Sequence, residues 1–543
     1  MRIKVSDYIV NRIIDRGTNV FFGYQGGNIS HLIDSIGSNP NAIYVETCHE
    51  QAAAFAANSY AHYNDRVGIA LASSGPGAIN MINGVANAFC DSIPCIFFTG
   101  DVNTTVKNIR SSKRQNAFQE IDIISMVQSI TKYATSIDCA ENIIPELEKA
   151  FFISTSGRPG PVLINLPHDV QRSFIEMEDF PKTEMSCNQP PDINHIKQLQ
   201  DDISHAERPL FLIGGGLKGT KARRLFNSVL DECHIPVVCS LLGLDILTHN
   251  HPCYRGVIGD YGESAANAII KMADCIVVLG SRLDDRQLSV ANARELSDVK
   301  VWHVDIDPNE FGNKIEKYDS IVCDSSAFLT SFKLGLENIQ QHESWLNTTR
   351  DLYDKYNQFN KDFYHPNMFI HEMSKQCEAI YTFDVGNNQM HAMQSLFVHG
   401  NTRIMTSGGL GSMGYALPSG IGACFSDKVN KVICICGDGG LQMNIQELQT
   451  ISYYKLPISI VLLNNAGLGM IYELQNKLFE GRHTGTTEYY GIPNFEKIAR
   501  AYGFDYCKIK KRTDFEEAIN NLKHKDRVFI EMIFDIDTSV TMN

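Results

Sequence analysis

The chain has 543 residues, 43% of them hydrophobic and 20% charged, and this composition is typical of a globular protein of about three domains. Its formal net charge of −14 argues against nucleic acid as the main partner. The first residues do not resemble a secretory signal, no apolar run approaches the roughly 20 residues of a membrane helix, and the fifteen cysteines form no CxxC pair. We therefore expect a cytoplasmic protein with free thiols and no membrane partner.

Two polar stretches divide the sequence into three parts. Phe180–Asp192 lacks periodicity and contains three prolines, and residues 340–365 form a polar stretch with helical spacing. Apolar strand-like runs alternate with amphipathic helical segments on either side of them. This pattern predicts an α/β protein with three doubly wound parallel-sheet domains, over residues 1–180, 192–335 and 360–543.

Glycine-rich turns follow predicted strands in the first and middle parts. They are Phe22–Gly27 and Ser74–Gly77 in the first part and Gly214–Gly216 in the middle part, where acidic residues follow later strands within Val277–Arg286 and Val304–Pro308. Strand, glycines and a later acid are how proteins hold a nucleotide through backbone amides and a ribose-binding carboxylate. Many α/β domains carry such turns without a ligand, so a purely structural role stays open at this point.

The third part contains a more specific pattern, Gly437-Asp438-Gly439 followed after 24 residues by Asn464-Asn465. The apolar runs Val432–Ile435 and Ile458–Leu463 precede the two motifs, and Gln442–Thr450 has helical spacing. In a parallel sheet the carboxyl ends of two such strands lie side by side. Asp438 and Asn465 would then offer oxygen ligands to one Mg²⁺, while the glycines let a diphosphate approach the backbone.

With further motifs, these features resemble the thiamine diphosphate enzymes and, among them, the catalytic subunit of acetolactate synthase. The resemblance spans nearly the whole chain. The other motifs that carry it are His49-Glu-Gln-Ala-Ala, Ser74-Gly-Pro-Gly-Ala, Asp91-Ser-Ile-Pro, Ala117-Phe-Gln-Glu, Ser156-Gly-Arg-Pro-Gly-Pro-Val, Gly408-Gly-Leu-Gly-Ser-Met-Gly, Asn464-Asn-Ala-Gly-Leu-Gly-Met and Gly491–Gly503. It implies pyrimidine-binding, nucleotide-binding and diphosphate-binding domains in that order.

By this resemblance Glu50 is the glutamate that bonds N1′ of the cofactor's aminopyrimidine, so that N4′ takes the C2 proton. Its place before the apolar run Ala52–Ala57 predicts a buried carboxyl with a tuned proton affinity. Gln119 and Lys132 are retained from the family pattern, and we assign them to catalysis with Glu50. The positions expected at the substrate are Gln25, Gly26, Asp101 and Phe118.

The resemblance also implies the residues that hold thiamine diphosphate and Mg²⁺. The metal takes Asp438, Asn465 and the backbone carbonyl of Gly467, and Met413 wedges the two rings of the cofactor into a V. The other expected contacts are Val385, Gly386, Asn387, Asn388, Gly411, Gly437, Gly439, Gly440, Leu468, Gly469 and Met470, with Asn387-Asn388 standing where the family has Gln-His. In the family Glu50 and Asp438 come from different subunits, so a homodimer or homotetramer is implied.

Acetolactate synthases hold FAD in the middle domain, although their main reaction moves no net electrons. The matching positions are Arg158, Gly214, Gly215, Gly216, Gly280, Ser281, Arg282, Asp284, Arg286, Asp305 and Asp324. The family's Gly-Met-His-Gly loop reads Gly256-Val-Ile-Gly here and is followed by Asp260-Tyr-Gly-Glu. We expect FAD, with an ADP-type nucleotide or an empty pocket as the alternatives.

Two departures bear on the substrates, which we expect to be a 2-keto acid and a carbonyl acceptor. Gln25 replaces a proline of the family's first glycine loop, and Asp101 replaces a glutamine. A carboxylate near an anionic keto acid costs Coulomb energy unless it is paired, for example with Lys132, or protonated. Three interpretations stay open: acetolactate synthase itself, a carboligase or lyase with another acceptor such as a keto sugar nucleotide, or a non-catalytic homologue.

Overall fold

Three six-stranded parallel sheets form the framework of the protein. The computed structural model describes residues 2–107, 113–176, 190–357, 362–426, 429 and 431–540. Each sheet is flanked by helices, so the prediction of three doubly wound α/β domains is confirmed. The predicted linker Phe180–Asp192 falls largely on residues 177–189, which lie outside the described residues, as does the boundary at residue 360.

The first domain has the sheet order β3-β2-β4-β5-β7-β6, with a separate antiparallel pair β1-β8. Its elements are β1 (Arg2–Lys4), α1 (Val5–Asp15), β2 (Val20–Gly23), α2 (Ser30–Ser38), β3 (Ile43–Glu46), α3 (Glu50–Asn64), β4 (Gly68–Ala72), α4 (Pro76–Cys90), β5 (Cys95–Asp101), α5 (Thr104–Lys107), α6 (Ile123–Val127), β6 (Tyr133–Ser136), α7 (Ile143–Thr155), β7 (Pro161–Pro167), α8 (His168–Arg172) and β8 (Phe174–Glu176). β4 and β5 are buried along their whole length because helices cover both faces of the sheet.

The middle domain has the order β11-β10-β9-β12-β13-β14, the arrangement of dinucleotide-binding domains. Its elements are α9 (Ile193–His205), β9 (Pro209–Ile213), α10 (Thr220–Cys233), β10 (Val237–Cys239), β11 (Tyr254–Val257), α11 (Ser264–Met272), β12 (Cys275–Leu279), α12 (Val290–Glu295), β13 (Lys300–Asp305), β14 (Asp319–Val322) and α13 (Ser325–Lys333). The helix α14 (Glu343–Tyr356) follows and confirms the helical spacing seen in residues 340–365.

The third domain has the order β16-β15-β17-β18-β20-β19. Its elements are α15 (Pro366–Gln376), β15 (Ile380–Phe383), α16 (Asn387–Ser395), β16 (Arg403–Met405), α17 (Ala416–Cys424), β17 (Val432–Gly437), α18 (Asp438–Met443), α19 (Glu447–Tyr453), β18 (Ile458–Asn464), α20 (Gly469–Leu478), α21 (Phe495–Ala501), β19 (Asp505–Ile509), α22 (Phe515–His524) and β20 (Val528–Ile533). When the six strands of each sheet are numbered in chain order, the first and third sheets share the order 2-1-3-4-6-5, so they have the same topology.

Helices α3 and α17 join the first domain to the third. The predicted apolar run Ala52–Ala57 in α3 is fully buried, because the helix packs against neighbours on several sides. A Cβ at Gly422 of α17 would lie 2.0 Å from the carbonyl oxygen of Ala56, and a Cβ at Gly84 of α4 would lie 2.2 Å from Ala54 Cβ. Glycine therefore allows these helices to approach closely.

Two findings concern the class of protein. Within the described residues, no helix combines the length and apolarity needed to cross a membrane. The fourteen cysteines that the structure describes are free, and most of them are buried.

Candidate active site

The carboxyl ends of β17 and β18 lie side by side, as the sequence predicts. These strands pair in parallel, with Gly437 opposite Leu463. Asp438 begins α18 and is 1% exposed, and Asn465 directly follows β18. The backbone N–H of Gly467 donates to Asp438 Oδ2 at 3.2 Å. The structure thus brings together the three residues predicted for the metal.

A tyrosine that the sequence did not single out also contacts this carboxylate. The hydroxyl of Tyr490 donates to Asp438 Oδ1 at 2.8 Å. Burial raises the pKa of Asp438, against the lowering effect of the Tyr490 hydroxyl and of backbone N–H donors. Burial and the nearby Asp438 charge together raise the pKa of Tyr490, so this residue stays protonated and acts as a donor. Both oxygens of Asp438 therefore accept hydrogen bonds from the protein.

Carboxamides from the start of α16 and from the loop after β18 converge near Asp438. A Cβ at Gly469 would lie 2.6 Å from Asn387 Nδ2 and 2.8 Å from Asn465 Nδ2, and a Cβ at Gly437 would lie 3.2 Å from Asn388 Nδ2. The amide oxygens of Asn387 and Asn388 are buried without a hydrogen-bond partner among the described residues. Buried polar atoms normally find partners, so these two atoms indicate a polar ligand.

The donor set at this edge suits a hard cation bound with a diphosphate. Asp438 brings a carboxylate and Asn465 an amide to this edge, and oxygen is the ligand type that Mg²⁺ prefers. No group of three or more His, Cys, Asp or Glu side chains suited to a metal occurs in the described part of the chain. A cation here would therefore rely on amide, backbone and ligand oxygens as well as on Asp438.

Met413 lies over the same edge. A Cβ at Gly439 would come within 2.6 Å of Leu468 Cδ2 and 3.4 Å of Met413 Cε. The side chains of Leu468 and Met413, both predicted to contact the cofactor, therefore meet above that glycine. Gly411 has a φ of +70°, a backbone conformation that favours glycine. The Met413 side chain is thus placed by a glycine-rich loop against the Gly437–Gly440 turn.

A buried carboxylate that the sequence did not reveal connects two of the cofactor loops. Asp384 Oδ1 accepts hydrogen bonds from the N–H of Val385 at 2.8 Å and of Gly414 at 2.9 Å. Burial raises the pKa of Asp384 to about 6, even though several backbone N–H groups donate to it. A Cβ at Gly440 would lie 2.7 Å from its Cγ. Asp384 therefore holds the Val385–Asn388 turn, the Met413 loop and α18 together.

Glu50 begins α3 and is 9% exposed, which confirms the predicted burial. Its Oε2 accepts a hydrogen bond from Asn80 Nδ2 at 3.0 Å, and a Cβ at Gly77 would lie 3.0 Å from Oε1. Both neighbours are on α4, so Gly77 leaves room for the carboxylate and Asn80 orients it. The preceding turn is held from the third domain, because Glu447 accepts a hydrogen bond from the N–H of Cys48 at 3.1 Å.

The predicted substrate residue Gly26 and the predicted catalytic residue Gln119 lie against the segment Ser73–Gly77. A Cβ at Gly26 would lie 2.4 Å from Ser73 Cβ, and a Cβ at Gly75 would lie 2.8 Å from the carbonyl oxygen of Gln119. Gln119 has a φ of +63°, which is uncommon outside glycine and is often found at functional sites. Gln25 and Phe118 are exposed, and Phe118 is 85% exposed. Gly26 and Gln119 thus lie near the turn that leads into α4, the helix whose Gly77 and Asn80 contact Glu50.

Asp101 and Lys132 do not pair with each other. Asp101 is 2% exposed, lies 3.3 Å from Lys107 Nζ and accepts a hydrogen bond from Asn165 Nδ2 at 2.7 Å. The Lys132 ammonium donates to the backbone carbonyls of Ile153 and Ser156. Pairing with Lys132, one way the sequence offered to neutralise Asp101, is therefore wrong, and Lys107 takes that place.

A cavity of about 410 Å³ lies between the glycine turns of the middle domain and residues of the first domain. Predicted nucleotide residues that line it are Arg158, Gly215, Gly216, Gly280, Ser281, Arg282, Asp305 and Asp324. Gly214 lies behind it, where a Cβ would be 2.3 Å from the carbonyl oxygen of Gly280. Guanidinium groups and carboxylates in one polar cavity suit the diphosphate and ribose groups of a nucleotide.

A second cavity, of about 40 Å³, is lined by the two other predicted residues, Asp284 and Arg286. Leu242, Arg282 and Gln287 line both cavities, so the two adjoin. Tyr261, from the unusual Asp260-Tyr-Gly-Glu segment, lines the second cavity.

The loop that departs from the family sequence is tightly packed. Gly256 and Gly259 have φ values of +92° and +127°, and a Cβ at Gly259 would lie 2.4 Å from the carbonyl oxygen of Arg286. Glu263 accepts a hydrogen bond from the N–H of Val257 at 3.0 Å, and burial raises its pKa to about 7. The loop therefore shapes the second cavity through Tyr261 and Arg286.

Comparison with known proteins identifies three matching family models. Residues 3–126 match the N-terminal thiamine pyrophosphate-binding domain of thiamine pyrophosphate enzymes, residues 196–332 match their central domain, and residues 384–532 match their C-terminal binding domain. The acetolactate synthase isozyme 2 large subunit of Escherichia coli K12 is 32% identical, over 97% of this chain and 94% of that protein. The acetolactate synthase large subunit of Lactococcus lactis is 32% identical, over 97% of this chain and 92% of that protein. The acetolactate synthase of Arthrospira platensis is 34% identical, over 98% of this chain and 94% of that protein.

Proposed function

The chain belongs to the thiamine diphosphate enzymes related to the acetolactate synthase large subunits, and on this basis we propose that it is a Mg²⁺-dependent carboligase. The substrates that we propose are pyruvate, which is decarboxylated, and a second 2-keto acid, which accepts the two-carbon unit. The observation that carries the proposal is the convergence of Asp438, Asn465 and Gly467 beside the unpartnered amide oxygens of Asn387 and Asn388.

The two halves of the site have distinct roles. Bound thiamine diphosphate supplies a nucleophilic carbon that releases CO₂ from a 2-keto acid and carries the remaining acyl unit. We assign Glu50 to proton exchange with the aminopyrimidine, with its carboxylate oriented by Asn80. Asp438, Asn465 and the Gly467 carbonyl would hold the metal, and the predicted Val385–Asn388, Gly411, Gly437–Gly440 and Leu468–Met470 segments would hold the cofactor. Met413 would pack against the cofactor rings and restrain the angle between them.

We place the substrate near the Ser74–Gly77 turn, where Gly26 and Gln119 lie. Gln119 and Lys132 contribute there to catalysis, and Gln25, Gly26 and Phe118 line the approach. We also assign Asp101 to the substrate region, where its carboxylate forms an ion pair with Lys107. Glu50 and Asp438 are expected from different subunits, so we propose a homodimer or homotetramer. The exposed Phe118 side chain suits the interface between the subunits. We also propose that the protein is cytoplasmic and that its domains have the boundaries given above.

FAD is the proposed ligand of the middle domain. The sheet order, the 410 Å³ cavity and the adjoining smaller cavity support a dinucleotide over ADP. We test this by the absorbance spectrum of the purified protein: flavin bands, and flavin released on denaturation, are expected. A spectrum without flavin, in a protein that also gains none on incubation with FAD, contradicts the assignment.

A keto sugar acceptor is not favoured. The relatives are acetolactate synthases, and Asp101, which suggested hydrogen bonds to a sugar, is already bonded to Lys107 and Asn165. The test is a screen of 2-keto acid donors against several carbonyl acceptors, with the products identified. We expect acetolactate and CO₂ from pyruvate alone. Pyruvate consumption without acetolactate, unless a sugar nucleotide is supplied, contradicts the proposal.

A further inference from the structure

One helix of the first domain holds the third-domain loop 407–413, which ends at Met413. Asp91, directly after α4, accepts hydrogen bonds from the backbone N–H groups of Gly408 at 3.1 Å and Gly409 at 2.6 Å. A Cβ at Gly409 would lie 2.9 Å from Asp91 Oδ1 and 3.0 Å from a terminal nitrogen of Arg282. The loop backbone therefore meets one carboxylate and one guanidinium at close range.

The same face of α4 holds the rest of the loop. The Ser407 hydroxyl donates to Asn87 Oδ1 at 2.5 Å, and the Ser412 hydroxyl donates to Asn83 Oδ1 at 2.7 Å. Positions 83, 87 and 91 are four residues apart, so they lie along one side of the helix. The other end of α4 orients Glu50 through Asn80. One helix thus contacts both the catalytic glutamate and the loop that carries Met413.

Asp91 also belongs to the wall of the nucleotide cavity. It lines the 410 Å³ cavity together with Arg282, and Gly408 lines the adjoining 40 Å³ cavity. A Cβ at Gly408 would lie 2.6 Å from a methyl carbon of Leu242, which lines both cavities. Burial raises the pKa of Asp91, while the two glycine N–H groups and the Arg282 charge favour its ionised form. The wall of the nucleotide cavity and the Met413 loop are therefore in direct contact.

We propose that Asp91 is a positioning residue that couples the nucleotide cavity to the thiamine site. A dinucleotide in the cavity restrains Arg282 and Asp91, these restrain loop 407–413, and a restrained Met413 loses less freedom when thiamine diphosphate binds. Each ligand then strengthens binding of the other by the same factor, as linkage requires. The inference rests on the proposed function, since both ligands are needed.

The test is calorimetric titration of thiamine diphosphate into metal-saturated protein, with and without saturating FAD, for wild type, Asp91→Asn and Asp65→Asn. Asp65 is the matched control, because it lines the same cavity and accepts a hydrogen bond from the N–H of Thr220 at 3.0 Å, in the middle domain instead of loop 407–413. FAD should tighten thiamine diphosphate binding at least about fivefold in wild type and Asp65→Asn, and by less than about twofold in Asp91→Asn.

Titration of FAD with and without thiamine diphosphate should give the same factors, and thermal melts establish that each variant folds. Asp91→Glu, which keeps the charge but moves the carboxylate by one methylene, replaces Asp91→Asn if that variant does not fold. The inference is overturned if one ligand changes the affinity for the other by the same factor in wild type and in the Asp91 variant. It is also overturned if both ligands bind to wild type without affecting each other. Both results leave the proposed function intact. A wild type that binds no thiamine diphosphate overturns both.

Discussion

Replacing Tyr490 by phenylalanine tests how the metal ligand is held before the cofactor binds. The Tyr490 hydroxyl donates to Asp438 Oδ1 at 2.8 Å, and the variant removes that donor while keeping the ring. A hydrogen bond to a charged group contributes about 1.5–3 kcal/mol, and we take about 1.5 kcal/mol because Tyr490 is half-buried. The bond stabilises the metal-free state and is given up when Oδ1 turns to a cation. Since about 1.4 kcal/mol is a factor of ten, Tyr490→Phe should bind Mg²⁺ about tenfold more tightly.

The assay is a Mg²⁺ titration in the presence of saturating thiamine diphosphate, followed by intrinsic fluorescence. Thermal melts of the metal-free protein should show that Tyr490→Phe is less stable than wild type, because it has lost the hydrogen bond. Tyr489→Phe is the matched control: this neighbouring tyrosine is 93% exposed, and its change should leave both quantities unaltered. An unchanged or weaker Mg²⁺ affinity in Tyr490→Phe would refute competition between Tyr490 and the metal for Asp438.

Three further predictions follow from packing and charge. Met413→Ala should lower kcat by about tenfold to a hundredfold with a smaller change in KM, because misplacing the reacting groups of the cofactor lowers the rate more than it weakens substrate binding. Steady-state kinetics check this, and an unchanged kcat contradicts it. Gly422→Ala should lower the free energy of unfolding by about 1–3 kcal/mol in denaturant titrations, because its Cβ would lie 2.0 Å from the Ala56 carbonyl oxygen, whereas Gly37→Ala, which has nothing within 4 Å, should not. Burial raises the pKa of Glu447 from 4.5 to about 7, so the folded state binds a proton more tightly than the unfolded chain. The contribution of Glu447 to the free energy of unfolding therefore falls as the pH rises from 4.5 to about 7. The unfolding free energy of Glu447→Gln relative to wild type should therefore rise between pH 5 and pH 8, and a constant difference would be inconsistent with the raised pKa.

The sequence predicts the metal edge well because its signals are local. The strand ends before Asp438 and Asn465 are set by two short apolar runs, and parallel pairing then places them together. The predicted helix Gln442–Thr450 was wrong in detail: two helices occur, separated at Asn444–Gln446. The Asn444 amide donates to the carbonyl of Gly414, and this tertiary contact overrides the helical spacing.

Residues that act through long-range contacts could not be predicted from the sequence. The roles of Asp384, Tyr490 and Asp91 are recognisable only once their partners, 30 to about 320 positions away, are known, although Asp91 belongs to a motif that carries the resemblance. Asp101 shows the same limit. Its substitution for glutamine is visible in the sequence, but its neutralisation by Lys107 depends on where α5 lies beside β5. Chain distance separates these residues from those of the metal edge, whereas Glu50, Gln119 and Met413 were predicted from the family resemblance.

The most direct test of the central claim is turnover of pyruvate by Glu50→Gln measured beside its affinity for thiamine diphosphate. The variant keeps the shape and the hydrogen-bonding reach toward Asn80 but cannot exchange a proton as a carboxylate does. We predict an affinity within about threefold of wild type and a loss of acetolactate formation of at least about a hundredfold. Substantial acetolactate formation by Glu50→Gln, with the cofactor bound, would contradict the account.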